Sequence, residues 1–223
     1  MAEKDIYFKQ KKLFDPKENN LQVHVYGAGS IGSHVVMGLA KIGIQNIVVY
    51  DFDEVEDSNI PAQFFDINAV GETKLEALKR IVKEFTGVEI ETCEGEINED
   101  FTPEYGLDAI HITAFDNIEA RKIVSNALKD LPVTLIDGRI GAFQLEKYLV
   151  KPDNKEDFNK YLETLEGDFS ELECGEKCLW AVNSHLSSLI VADILKIVAG
   201  KKLFASYITN LLGEVVIKQE EWN

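Results

Sequence analysis

Only three cysteines, Cys93, Cys174 and Cys178, occur in 223 residues, too few for a disulfide framework and one short of a four-cysteine zinc site within one chain. Reduced thiols are expected, and structural zinc is not. Histidine is nearly as scarce. His24, His34, His111 and His185 show no H-x-x-x-H or histidine–carboxylate spacing, so no metal site is read from them. His24 and His111 fall in expected strands, His34 on an outward side of the first helix, and His185 at the start of the last. Basic residues are in deficit, 23 Lys and Arg against 39 Asp and Glu, a formal net charge of -16. Such a balance disfavours a nucleic-acid partner and suits a basic one. Residues 1–12 are polar and highly charged, without the apolar run of a signal sequence. The most apolar segment, residues 186–199, carries Asp193 and Lys196 and is too short to span a bilayer. No membrane association is expected, and the cytoplasm is the expected location. Two motifs are also missing: the G-x-x-x-x-G-K-[ST] phosphate loop and the G-x-S-x-G hydrolase elbow.

Apolar residues at 45% and charged residues at 28% are ordinary for a globular chain. The length suits one sizeable core, and residues 1–223 are read as a single nucleotide-binding domain. Short β-branched runs alternate with helical patterns. Val23, Val25 and Gly27 read as a strand entering a tight turn, and residues 30–42 as a helix with Ile31, Val35, Leu39 and Ile42 on one face, stopped by Gly43. A buried strand at residues 46–51 follows, then a helix at 71–85 and strands at 88–93 and 108–113. A helix at 117–128 and a strand at 133–137 complete the alternation. This rhythm predicts an α/β, Rossmann-like, doubly wound, mostly parallel sheet with right-handed crossovers. Residues 143–150 and 212–218 alternate like antiparallel strands, so the carboxyl-terminal strands are expected to be antiparallel. Between them, residues 151–182 hold nine acidic and four basic residues and read as a crossover or inserted segment. Residues 183–199 form a strongly apolar helix, capped by Asn183 or Ser184 and stopped at Gly200.

Gly27-Ala28-Gly29-Ser30-Ile31-Gly32 fits G-x-G-x-x-G between a strand and a helix. Gly27 permits the turn, Gly29 lets backbone approach a phosphate, and Gly32 lets helix and strand pack closely. Backbone N–H groups of Ser30 and Ile31 then face the anion at the helix amino terminus. Asp51, about 20 residues further on, is placed to accept from a ribose hydroxyl, or else is a solvated strand end. These features do not separate a dinucleotide from ATP.

The run Asp51-Phe52-Asp53-Glu54-Val55-Glu56-Asp57-Ser58-Asn59, taken with the glycine loop, resembles the ubiquitin-activating-like (ThiF/MoeB/HesA-like) adenylating enzymes. That family includes bacterial activators of sulfur-carrier proteins. The resemblance continues through Gln63, Gly71-Glu72-Thr73-Lys74, Asp116-Asn117, Arg121 and the late apolar helix. It implies ATP-dependent adenylylation of the C-terminal carboxylate of a ubiquitin-fold or sulfur-carrier protein or peptide, with ATP and Mg2+ as cofactors and a homodimer as the working unit. By resemblance, Gly27, Gly29, Ser30, Ile31, Gly32, Asp51, Asp53, Asn59, Gln63 and Lys74 bind the nucleotide. Lys74 contacts phosphates, and Asp116 serves the metal and the α-phosphate. On the residues alone, Lys74 also reads as a solvated helix lysine and Asp116 as a helix cap.

The chain departs from the family at three places. Ala62 stands where the family's S-N-x-x-R-Q run has arginine, and Lys9 where an amino-terminal arginine reaches across the dimer. Lysine lacks the guanidinium fork, so that exchange is not conservative. Arg139, at the end of an expected strand, is read as a compensating phosphate contact with a catalytic part. The paired zinc cysteines are reduced to Cys174 and Cys178, beside Lys177. Cys178 or Cys174 is read as a candidate nucleophile, with an inert thiol or a partial metal site as the rival readings. Cys93 is expected to pack. The alternative to an enzyme is a non-catalytic nucleotide-binding relative serving as scaffold or partner subunit. A nicotinamide-dependent oxidoreductase rests on the glycine loop alone.

Overall fold

The computed structural model describes residues 5–103, 109–166, 179–211 and 218–220. Its elements run β1 (Gln22–Tyr26), α1 (Gly32–Ile42), β2 (Asn46–Asp51), α2 (Lys74–Thr86), β3 (Glu91–Glu94), β4 (Ile110–Thr113), α3 (Ile118–Ala127), β5 (Thr134–Gly141), β6 (Gln144–Val150), α4 (Lys155–Glu163), α5 (Trp180–Val198), β7 (Ser206–Asn210) and β8 (Lys218–Glu220). The strands form one sheet in the order β3-β2-β1-β4-β5-β6-β7-β8. Pairing is parallel from β3 across to β5 and antiparallel from β5 to β8. The chain is therefore an α/β fold with a doubly wound, mostly parallel sheet and antiparallel carboxyl-terminal strands. The strand order reverses between β1 and β4, the kind of crevice where such sheets bind ligands.

Alternation along the strands builds two cores. Val23, Val25, Ile47, Val49, Ile110, Ile112 and Ile136 join one cluster with residues of α1, α2 and α5. Tyr26, Val48, Tyr50 and Leu135 join the other with Val124 of α3 and Phe158 and Tyr161 of α4. Helix boundaries follow their capping chemistry. Gly43, at φ 98°, ends α1 with its N–H on the Leu39 and Ala40 carbonyls, and Thr73 opens α2 by accepting from Glu76 N. Asn117 opens α3, accepting from Glu119 N and Ala120 N.

Several boundaries differ from expectation. The second helix begins at Lys74 and not at Gly71, because Thr73 is the residue that caps it. The third strand begins at Glu91, since Val88 and Ile90 are buried in the core ahead of it. β5 extends to Gly141 because β6 pairs along its whole second half. β7 was not anticipated, and the strand expected at 212–218 lies outside the described residues except for Lys218. The crossover segment contains α4. Neither Asn183 nor Ser184 caps α5, which starts a turn earlier at Trp180; Asn183 Nδ2 instead donates to the Ala62 carbonyl at 2.8 Å.

At 19 residues, α5 is long and apolar enough to cross a membrane by length and composition, which corrects the view that this segment is too short. Here it packs on α1, β5 and β6, and its Asp193 is buried in an ion pair with Lys147. Burial pulls the Lys147 pKa down, while Asp193 opposes the shift. Of the histidines, only His34 departs from expectation. His34 is buried, with Nε2 3.1 Å from the Ala62 carbonyl, because α1 is sandwiched where an outward face was expected. His24 and His111 stack in the core at 4.8 Å, and His185 is exposed. Cys93 is exposed on the edge strand β3 and does not pack.

Candidate functional site

The glycine turn leaves the sheet between β1 and α1 on a tightly fitted backbone. Gly27 has φ 98°, a left-handed conformation that glycine adopts without strain, and a Cβ there would meet the Ala114 carbonyl oxygen at 3.0 Å. A Cβ on Gly32 would lie 1.7 Å from the Gly27 carbonyl oxygen, so any side chain would force helix and turn apart. Gly29 differs: a Cβ there meets nothing within 4 Å. Internal packing therefore explains Gly27 and Gly32, whereas Gly29 fronts open space of the kind a phosphate would occupy. Ile31 is 3% exposed and belongs to the core, so its side chain is not open to a ligand. Helix α1 has no side-chain cap and no acidic residue in its first turn, which leaves its positive end to an anion.

Asp51 closes the turn from the neighbouring strand. Its Oδ2 accepts from Ala28 N at 2.6 Å, and Oδ1 accepts from Phe52 N and Asp53 N, each at 2.8 Å. A carboxylate has about four acceptor positions, so one remains for a ribose hydroxyl. Asp51 thus shapes the loop as well as facing the ligand side. After Asp51 the chain pairs with the approach to α2. Glu54 bridges Thr73, and Lys74 N donates to the Asp53 carbonyl at 2.9 Å. Lys74 Nζ is 2.6 Å from Asp53 Oδ2, with the lysine side chain 10% exposed. A lysine in a helix's first turn is opposed by the dipole, and the Asp53 carboxylate offsets this.

Asn59 and Gln63 lie in the next loop. Asn59 Oδ1 accepts from Glu56 N at 3.1 Å and so folds its own turn, while Gln63 Oε1 is buried without a hydrogen-bond partner among the described residues. Ser33, which the sequence did not single out, stitches this loop to the glycine turn. Its hydroxyl donates to the Gly29 carbonyl at 2.7 Å and accepts from Phe64 N at 2.9 Å. Ala62 is 7% exposed, and its carbonyl is held by His34 and Asn183.

The third wall comes from the end of β4, where Ala114 and Phe115 abut Gly27. Asn117 takes the capping role, with Oδ1 2.8 Å from Glu119 N. Asp116 is thereby left exposed, with no hydrogen bond or ion pair among the described residues. An exposed, unengaged carboxylate one residue beyond Phe115, which abuts Gly27, is free to meet a divalent cation. No group of three or more His, Cys, Asp and Glu is placed to hold a metal among the described residues.

Arg139 does not join this site. Gly138 faces α5 and Ile31, so strand alternation turns Arg139 to the opposite side. There its Nε donates to Asp137 at 2.7 Å, Nη1 and Nη2 reach Thr164, and the guanidinium lies 4.5 Å from the Tyr148 ring centre. Its donors serve the core and do not replace the arginine absent at Ala62. Cys174, Cys178 and Lys177 lie outside the described residues.

Known proteins share the fold and part of the sequence. The chain is 35% identical to the NEDD8-activating enzyme E1 catalytic subunit of Arabidopsis thaliana over 115 residues, 51% of this chain and 25% of the relative. It is 29% identical to the SAMP-activating enzyme E1 of Haloferax volcanii over 136 residues, 59% of this chain and 50% of the relative. The match thus spans a quarter to a half of these relatives' lengths. The fold superposes on the microcin C7 biosynthetic enzyme MccB in complex with N-formylated MccA, with TM-score 0.75 at 20% identity, covering 96% of this chain and 68% of that one. PaaA gives a TM-score of 0.71 at 18% identity over 99% of this chain and 86% of the other. The ThiF family model matches residues 9–216, which takes in the glycine turn, Asp51, Lys74 and Asp116 together: this chain belongs to the ThiF family.

Proposed function

We propose that this chain binds ATP with Mg2+ and adenylates the C-terminal carboxylate of a small ubiquitin-fold or sulfur-carrier protein or peptide. The observation that carries the reading is the division between Asn117 and Asp116. One caps α3, and the other keeps its carboxylate unengaged one residue beyond Phe115, which abuts Gly27. A C-terminal carboxylate is ionised at neutral pH, so the reaction needs no general base. Its oxygen forms a bond to the α-phosphorus, the bond from that phosphorus to the bridging oxygen breaks, and pyrophosphate leaves with the electron pair. The protein must align two anions and offset charge on the departing phosphates. Gly29 and the α1 amino terminus receive the phosphates, Asp51 orients the ribose, and Lys74 turns its ammonium from Asp53 towards phosphate oxygens. Asp116 would hold the magnesium, whose charge would offset that of the phosphates. A homodimer acting in the cytoplasm completes the proposal.

A second reading, a non-catalytic nucleotide-binding subunit, is favoured by one observation: a buried alanine, Ala62, occupies the position where the family has an arginine. Exchange of labelled pyrophosphate into ATP separates the two. Exchange that depends on an added carboxylate-terminated protein or peptide supports the enzyme. ATP binding without exchange across candidate substrates supports the silent subunit. Tighter binding of NAD than of ATP refutes both.

A further inference from the structure

Asp137 carries no role in the chemistry above, yet it is fully buried and sits between two arginines. Its Oδ1 accepts from the Thr113 hydroxyl at 2.6 Å and from Arg121 Nη1, and its Oδ2 accepts from Arg139 Nε. The other arm of Arg121, Nη2, donates to the Phe115 carbonyl. One planar guanidinium therefore ties the β5 carboxylate to the peptide immediately before Asp116. On the far side, Asn117 is held by its capping bonds, and its carbonyl accepts from Arg121 N at 3.3 Å. The backbone is pinned on both flanks of Asp116 while that side chain stays unengaged.

Buried ion pairs contribute little net stability, because desolvation offsets most of the attraction. A buried carboxylate with two guanidiniums is thus poorly explained by stability alone. Rigid support beneath an unengaged ligand is, by contrast, what a metal-holding carboxylate requires. We propose that Asp137 is a positioning residue for Asp116, acting through Arg121 and the Phe115 carbonyl to fix the carboxylate that receives Mg2+. The proposal rests on the metal assignment given to Asp116 above.

Asp137→Asn tests it. With its amide oxygen kept on Thr113 and Arg121 Nη1, the amide nitrogen faces Arg139 Nε, and the charge that held both guanidiniums is gone. Arg139 keeps Thr164 and the Tyr148 ring, whereas Arg121 is left on β5 with a neutral acceptor in place of its ion pair. The measurement is ATP affinity of the full chain by calorimetry, once in EDTA and once with excess Mg2+. The ratio of the two is the metal-dependent gain. Asp137→Asn and Arg121→Lys are expected to lose about tenfold or more of that gain, with affinity in EDTA nearly unchanged. Arg139→Lys loosens the same ion pair without touching Phe115, and it keeps the gain. If Asp137→Asn does not fold, Arg121→Lys carries the test. The proposal is overturned if Asp137→Asn and Arg121→Lys keep the full gain while Asp116→Asn abolishes it. It is equally overturned if Arg139→Lys loses as much as they do, which marks a merely structural network. A full gain in Asp116→Asn instead removes the metal assignment itself, and the proposal with it.

Discussion

Gly29 and Gly32, three residues apart in the same turn, serve different ends, and substitution separates them. Gly32→Ala places a methyl on the Gly27 carbonyl and is expected to destabilise the fold by about 1–3 kcal/mol, read by urea denaturation. Gly29→Ala enters open space, so the melting temperature should stay near that of the wild type while ATP affinity falls. Unchanged ATP binding in Gly29→Ala would remove the phosphate from this turn. The spacing of the glycines was legible in the sequence, but which of them serves packing and which a ligand was not. That depends on Ala114 and on the Gly27 carbonyl, atoms that the fold brings close.

At the scale of elements, adjacent residues at the start of α3 divide two tasks. Asn117→Ala removes the cap and should lower stability by about 1 kcal/mol with little effect on metal-free ATP binding. Asp116→Ala should leave stability within about 0.5 kcal/mol of wild type and abolish the effect of Mg2+. The opposite pattern in the two variants would exchange their roles. Docking of α5 on β6 offers another test. Lys147→Met strands Asp193 with, among the described residues, only the half-exposed Lys196 as an ion-pair partner, and a loss of about 3 kcal/mol is expected in chemical denaturation. Adding Asp193→Leu should restore most of it, since a well-packed apolar pair replaces a buried ionic one at similar volume. A double variant no more stable than the single would show that the pair does more than satisfy itself.

For the whole molecule, acid is the revealing variable. Burial, with His24 alongside, lowers the His111 pKa from 6.5 to about 3. Burial also lowers His34, partly opposed by the Ala62 carbonyl. The unfolded chain takes these protons below about pH 6.5 and the folded one does not, so stability falls as pH falls through that window. For His111 alone the loss between pH 7 and pH 4 is of order 3 kcal/mol. His111→Phe keeps the stacking and should flatten this slope in urea titrations. A slope equally steep in the variant would exonerate His111. Asp137 acts lower on the scale. Burial tends to raise its pKa, but Arg121 and Arg139 together hold it below the usual carboxylate range. Its contribution is therefore complete above about pH 4 and is lost as pH falls through the folded-state value.

Local chemistry alone determined the alternation of strands and helices, the stops at Gly43 and Gly200, the strand at Asn46–Asp51 and the glycine turn, because periodicity, capping and glycine freedom act over a few residues. The run from Asp51 to Asn59 pointed to the family for the same reason. The partners of charged side chains came only from tertiary structure. Arg139 looked like a phosphate contact by its place at a strand end, but one step of alternation turned it into the second core. Asp137 closed an expected apolar strand without attracting notice, and only the packing of α3 against β5 gave it Arg121. Strand alternation can be read from a sequence; which distant residue waits on each face is settled when the sheet is covered.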